Sequence, residues 1–226
     1  AILAGHIAME CGLDKVLSYD MGGTTAKICL IDEGRPQTSR TFEVDRQYRF
    51  TKGSGLPLRI PVIEMVEIGA GGGSIAQIDN LGRIQVGPES AGSEPGPACY
   101  GQGGTGATVT DADVALGRIS PEGFAGGSVA LSPELADAVL DETIAQKLNL
   151  DGPLAAFAVS EMVEENMSNA ARVHAVEQGK ELSERTLIAF GGAAPLHACR
   201  MAEKLGMDRV IIPQGAGVGS AIGFLF

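Results

Sequence analysis

The sequence predicts an α/β domain built on a mixed sheet with flanking helices. Three observations predict it. Apolar runs at 16–19, 27–31, 186–190 and 210–213 have strand length and β-branched or aromatic character. Helical patterns at 132–148, 154–178 and 195–205 are far longer. The second half also alternates helix, strand, helix, strand, the order that covers a sheet with helices. Glycine accounts for 32 of 226 residues, about twice the usual share. No three-residue glycine period runs through the chain, and 44% of it is apolar, so the glycines belong to folded loops.

Each element has a local reason. Residues 1–12 read as a helix stopped near Gly12. Val16-Leu17-Ser18-Tyr19 is a strand leading into Asp20, and Gly22-Gly23-Thr24-Thr25 is a tight turn. Lys27-Ile28-Cys29-Leu30-Ile31 then returns as a strand, giving strand–turn–strand. Residues 35–64 alternate only loosely, and Thr51-Lys52-Gly53-Ser54-Gly55 reads as a mobile segment. After a glycine run at 69–73, strands at 74–78 and 83–86 flank Asn80-Leu81-Gly82 as a hairpin. Residues 87–107 are a Gly/Pro-rich loop with seven glycines, and 111–118 suit a short helix with Thr110 as a cap. Ser132-Pro133 starts a helix with a capping hydroxyl and proline in its first turn. Gly179 closes the long helix, and Gly206 closes the helix begun at Pro195. A final helix follows the glycines near 215.

Composition excludes several functions. Seventeen basic against 28 acidic residues give a net charge of −11, which opposes a sequence-independent nucleic-acid surface. Aromatics make up 4% and tryptophan is absent, so base-stacking platforms are not expected. Cys11, Cys29, Cys99 and Cys199 form no Cys-x-x-Cys pair, so neither a zinc ribbon nor a redox pair is predicted. The chain shows no signal peptide and no membrane-spanning apolar run, and the expectation is a soluble, cytoplasmic protein without a membrane partner. It opens at Ala1 without methionine and stops on Gly223-Phe224-Leu225-Phe226, both apolar, which predicts a domain excised from a longer chain.

Two motifs carry chemistry. Asp20-Met21-Gly22-Gly23-Thr24-Thr25 follows an apolar strand. Its glycines let backbone approach a phosphate, its N–H groups and threonine hydroxyls donate, and Asp20 suits a hydrated Mg²⁺. The same residues also suit a plain hairpin turn. Phe190-Gly191-Gly192-Ala193-Ala194-Pro195 joins a buried strand to a helix start, and suits either a ligand approach or a simple helix-entry loop. Asp111 and Asp113 suit a divalent ion, or equally a capped helix with an acidic first turn. Glu64 and Glu67 read as exposed charges or loop contacts. Cys99 reads as a small buried thiol, His197 as a core or ligand-adjacent group, and His6 and His174 as surface or packing groups. Met162, Met167 and Met201 fall at core positions.

The two glycine motifs, in this order and about 170 residues apart, resemble the phosphate-2 and adenosine elements of the actin, sugar-kinase and Hsp70 ATPases, a ribonuclease H-like fold. Six ordered motifs narrow the resemblance. They are residues 20–25, Ile68-Gly69-Ala70-Gly71-Gly72-Gly73-Ser74-Ile75-Ala76, Pro95-Gly96-Pro97-Ala98-Cys99-Tyr100-Gly101, Val109-Thr110-Asp111-Ala112-Asp113, residues 190–198 and Gly217-Val218-Gly219-Ser220-Ala221. Together they resemble the hydantoinase A family, which includes 5-oxoprolinases and acetone carboxylase β-type subunits.

The resemblance covers essentially the whole chain, 1–226, as one lobe of a two-lobed ATPase. It implies an enzyme using ATP and Mg²⁺, or another divalent metal, on a cyclic amide or a ketone. It implies Asp20 and Thr24 as catalytic residues. Gly22, Gly23, Thr24 and Thr25 would hold phosphate, and Gly191, Gly192 and Ala193 would flank the adenosine. Asp20, Asp111 and Asp113 are the candidate metal ligands. Implied partners are an N-terminal lobe of the same chain, which would carry the phosphate-1 turn, a hydantoinase B-type subunit or domain, and a small-molecule substrate. Residues 1–12 and 215–226 resemble the connecting helices, and on this reading the segment alone binds ATP weakly or not at all. Three positions depart from the family pattern. Lys27 stands where the family usually has Asp, Glu64-Met65-Val66-Glu67 where it usually has Asp-x-His-Thr, and Ala194 where it usually has Gly. A sugar- or acetate-type kinase, and a degenerate ATPase subunit with a structural role, are the competing readings.

Overall fold

The computed structural model describes residues 1–45, 47 and 53–226. Helix α1 (Ile2–Glu10) opens the chain and ends where Gly12 turns left-handed. Strands β1 (Lys15–Met21) and β2 (Ala26–Asp32) form a hairpin around residues 22–25. Both are buried on two faces, so both read as apolar runs rather than as alternation. Residues 35–64 hold short strands: β3 (Arg35–Pro36), β4 (Thr38–Ser39), β5 (Phe42–Val44), β6 (Leu56–Leu58) and β7 (Val62–Ile63). The last four pair as β4–β7 and β5–β6. Of the segment read as mobile, Thr51 and Lys52 lie outside the described residues. Gly53 donates to the Glu43 carboxylate at 2.7 Å.

Strand β8 (Val66–Ile68) leads into the glycine run, and β9 (Ser74–Ile78) and β10 (Ile84–Ser90) form the expected hairpin. β10 runs four residues further than the sequence indicates, into the Gly/Pro-rich region. Helix α2 (Val109–Ala115) is capped by Thr108, not Thr110. Thr108 Oγ1 accepts from the Asp111 N–H, and the Asp111 carboxylate accepts from the Thr108 N–H, a reciprocal box unavailable to Thr110. Helix α3 (Pro133–Leu140), capped by Ser132, continues through a π-helical turn (Asp141–Ala145) into α4 (Gln146–Leu148).

Helix α5 (Gly152–Glu177) is capped by Asp151, which accepts from Leu154 N–H at 2.8 Å. Strand β11 (Thr186–Phe190), helix α6 (Ala194–Leu205), strand β12 (Val210–Ile211) and the short helix α7 (Gly219–Ile222) complete the chain.

The main sheet runs β12-β11-β1-β2-β3, with β8 also on β2. β12, β11 and β1 are parallel, whereas β2 is antiparallel to β1, β3 and β8. Leu17, Tyr19 and Met21 join the large core with Val159, Val163, Met167 and Met201. Val16, Ile31, Ile188 and Phe190 form the smaller core under α1, where Ala4 and Ala8 pack. Asp20, next to the last residue of β1, thus lies where the strand ends between two packed layers. The sheet is mixed and helix-covered, as the sequence predicts.

Candidate functional site

Three glycine segments converge at the end of β1. The turn at 22–25 is closed by a Gly22 N–H to Thr25 C=O bond of 3.1 Å. The run at 69–73 docks on it: Gly72 N–H donates to Gly22 C=O at 3.0 Å, and Gly73 N–H to Gly23 C=O at 2.7 Å. Thr110 fixes that run from behind, its N–H and hydroxyl both bonding Gly72 C=O, at 2.7 and 2.8 Å. The loop at 191–193 joins from β11, with Ala193 N–H donating to Met21 C=O at 3.0 Å.

The glycines divide by what surrounds them. A Cβ on Gly71 would lie 2.5 Å from Gly23 C and Thr24 N. One on Gly191 would strike the Met21 carbonyl, and Gly191 also has φ +85°. These glycines are demanded by the protein itself. Gly22, Gly23 and Gly192 differ: no atom lies within 4 Å of the Cβ position, and none has positive φ. Gly23, Thr24 and Gly192 are exposed. Among the described residues, no acceptor takes the N–H of Gly23 or Thr24. The site therefore presents bare backbone and free donors to the outside, the arrangement that lets an anion approach.

Asp20, half-buried, stands at the mouth of this turn and accepts a hydrogen bond from the Ser220 hydroxyl. Lys27 is its partner across the β1–β2 ladder. The Lys27 ammonium lies 3.1 Å from Thr25 Oγ1 and 3.3 Å from Glu67 Oε1. Glu67 is thus an exposed charge on β8 paired with its ladder neighbour on β2, whereas Glu64 is a loop contact that accepts from Gln178 at 2.7 Å.

Asp111 and Asp113 form no metal-binding group with Asp20 among the described residues, and each carboxylate is engaged by other protein groups. Asp111 is fully buried and its carboxylate accepts from Ala98 N, Cys99 N, Thr108 N and Thr108 Oγ1 at 2.7–3.3 Å. Those bonds occupy the lone pairs a cation would need. Asp113 is also buried, 3.3 Å from Arg118 and 3.2 Å from His197 Nε2. Among the described residues, no three His, Cys, Asp or Glu side chains form a metal-binding group. Mg²⁺ typically takes one or two carboxylates together with substrate phosphates. Asp20, beside the open turn, fits that requirement. Cys99 is a buried thiol whose pKa is pushed up by burial and by the Asp111 carboxylate.

Sequence reasoning did not find the buried charge cluster linking α2, α5 and α6. Glu164, fully buried on α5, takes Arg118 at 3.2 Å, the Ser160 hydroxyl at 3.2 Å and His197 Nδ1 at 2.9 Å. His197 Nε2 faces Asp113 at ion-pair distance without hydrogen-bond alignment. Burial opposes the His197 charge, but the Asp113 and Glu164 carboxylates outweigh it and raise its pKa to about 9. Two cations thus face two carboxylates. The signal in the sequence was Ser160 and Glu164 one turn apart on the inward face of a helix.

A family model described as hydantoinase/oxoprolinase matches residues 1–226. The chain belongs to the hydantoinase/oxoprolinase family. It is 39% identical to the caprolactamase subunit alpha of Pseudomonas jessenii over 96% of this chain and 30% of that one. It is 34% identical to the acetophenone carboxylase gamma subunit of Aromatoleum aromaticum, over 97% and 29%. It is 32% identical to 5-oxoprolinase of Saccharomyces cerevisiae, over 92% and 16%. Among solved structures, a nucleotide-free acetone carboxylase superposes with TM-score 0.87 at 28% identity, covering 98% of this chain and 30% of that one. The ATP-dependent caprolactamase of Pseudomonas jessenii superposes with TM-score 0.84 at 36% identity, covering 98% and 31%. The chain therefore spans about a third or less of the relatives it matches. The fold is the α/β mixed sheet with flanking helices that the sequence predicts, shared with the acetone carboxylase and caprolactamase structures, and the family's enzymes include ATP-dependent ones. Among the described residues, no helix is long and apolar enough to cross a membrane.

Proposed function

We propose that this chain forms one wall of an ATP site in an enzyme that activates a cyclic amide by phosphorylating its carbonyl oxygen. The observation that carries the reading is the set Gly22, Gly23 and Gly192, whose lack of side chains nothing in the protein requires. Open space over free N–H donors is what a nucleotide phosphate and its sugar need.

Each residue then has a role. The N–H groups of Gly23 and Thr24, with the Thr24 and Thr25 hydroxyls, hold the phosphates, and Thr24 faces the transferred group. Gly191 and Gly192 flank the adenosine. Ala193 fixes that loop, since its N–H is spent on Met21. Asp20 holds Mg²⁺ through water, or takes the amide proton. When bound, the metal neutralises phosphate charge. The amide oxygen attacks the γ-phosphorus, the bond to ADP breaks, and the nitrogen loses its proton, giving an imidate phosphate. Water adds to the imidate carbon and the ring C–N bond breaks, leaving an amine and an acyl phosphate. A second water releases phosphate and leaves a carboxylate. For a ketone, loss of an α-proton gives an enol phosphate instead, and the 34% identity to an acetophenone carboxylase subunit keeps that reading open. The remaining length of the relatives is where an N-terminal lobe and a hydantoinase B-type partner belong.

The test is the complete polypeptide with its partner subunit, given ATP and hydantoin, 5-oxoproline, simple lactams or ketones. Asp20→Asn is expected to bind ATP yet lose phosphate release by about 100-fold or more. A complete chain that does not bind ATP, or an Asp20→Asn variant with full turnover, refutes the proposal.

A further inference from the structure

Helix α2 reaches both glycine segments of the site. In its first turn, Thr110 holds Gly72 through an N–H and a hydroxyl bond, and Gly72 in turn donates to Gly22 in the turn at 22–25. Three residues later, Asp113 faces His197 Nε2 at 3.2 Å. A single turn of helix thus spans the two contacts. His197 is the fourth residue of α6, which starts directly after the 191–193 loop. That loop and the 69–73 run also meet, since a Cβ on Gly72 would lie 3.9 Å from the Ala193 methyl. Little else orients the start of α6. Its cap, Ala193, makes no side-chain hydrogen bond, and Ala194 and Ala198 pack there without direction. Arg200 and Lys204 pair with Glu161 and Glu165, but further along the helix. Among residues 194–197, His197 alone has a polar side chain. Its Nδ1 bonds Glu164 on α5 at 2.9 Å, and Asp113, Glu164 and His197 are all buried. Charges paired out of water hold their geometry strictly, because a lost partner leaves an uncompensated charge.

We propose that Asp113 and His197 are positioning residues that set the 191–193 loop against the phosphate turn, with α2 as their common reference. The inference rests on the ATP reading above and deepens it. Neither residue touches the nucleotide. The phosphates meet the turn at 22–25, which Thr110 supports through Gly72. The nucleoside meets Gly191 and Gly192, which His197 supports through the start of α6. A ligand that spans both parts needs the two supports in register. A ligand made of phosphate alone needs only the first.

The experiment uses the complete protein with its partner subunit and compares ATP with inorganic triphosphate, which lacks the nucleoside. His197→Gln is expected to weaken ATP binding about tenfold and to leave triphosphate within about twofold. Asp113→Asn keeps the shape and removes the charge, and serves as the milder second variant. It is expected to weaken ATP about threefold, again without moving triphosphate. Thr110→Val is expected to weaken both ligands about tenfold. Hydrogen exchange without any ligand reads the tie directly. The amides of Gly191 and Ala193, bonded to Ala216 and Met21, should exchange about tenfold faster in His197→Gln, while those of Gly72 and Gly73 keep their wild-type rates. Equal losses of ATP and triphosphate in the His197 and Asp113 variants mean a merely structural role and overturn the inference, as does unchanged ATP affinity in both. If the unmodified protein binds no ATP, the nucleotide reading falls instead, and unchanged exchange at Gly191 and Ala193 in His197→Gln then overturns the positioning role on its own.

Discussion

Gly71→Ala is a small change with a large expected effect. The added methyl would sit 2.5 Å from Gly23 C and Thr24 N and 2.6 Å from Gly23 O, where ordinary contacts begin at 3.4 Å. All three are backbone atoms, which cannot swing aside as a side chain does. The run at 69–73 must therefore withdraw from the turn by about 1 Å, taking the Gly72–Gly22 and Gly73–Gly23 bonds beyond hydrogen-bond length. Those two bonds are worth about 1 kcal/mol each. Overpacking adds about 1–3 kcal/mol. A loss of about 3–5 kcal/mol corresponds to a fall in Tm of about 10 °C for a domain this size. A turn displaced by about 1 Å should also cost roughly 100-fold in ATP-dependent phosphate release. Thermal unfolding and a nucleotide titration of the complete protein read both effects. Gly192→Ala is the control, since its methyl meets nothing: it should leave Tm unchanged while weakening ATP binding. Wild-type Tm in Gly71→Ala, or equal destabilisation by both variants, would refute the reasoning.

Two further outcomes follow from the buried carboxylates. The His197 pKa is raised from its ordinary 6.5 to about 9, so its stabilising charge is complete below about pH 6.5 and is lost as pH rises through 9. Tm should fall across that window, and His197→Gln should flatten the fall; a pH-independent wild-type Tm would contradict this. Asp111→Asn turns an acceptor-only group into one presenting N–H to backbone donors. It should destabilise by about 3 kcal/mol in denaturant unfolding without changing the Mg²⁺ requirement, and a changed metal requirement would return Asp111 to the metal site.

Much of the fold was legible because its signals are local. Ser132 and Asp151 cap helices through side chains close to their own backbone, and the β1–β2 hairpin announces itself by two apolar runs around a glycine pair. Thr108 was overlooked in favour of Thr110 because either threonine precedes the acidic pair, and only the reciprocal bond to Asp111 separates them. Residues 35–64 gave no clear pattern, since their strands are two or three residues long and mostly exposed. At the site, the glycine motifs were visible but their mutual docking was not. Which carbonyl Gly72 reaches depends on a contact 50 residues away in the chain. The charge cluster at Glu164 was hidden for the same reason: its partners come from α2, α6 and Arg118.

The division of the glycines has a consequence for how this sequence can vary. Gly71 and Gly191 answer to the fold, so a population of variants sorted only for folding would retain them. The same sort would be blind to Gly22, Gly23 and Gly192, where alanine touches nothing. On the proposed nucleotide reading those positions answer to the ligand alone, and they would be free to drift in any descendant that keeps the architecture but abandons the chemistry. On that reading the turn and the 191–193 loop together record, in three residues, whether a lineage still binds its nucleotide.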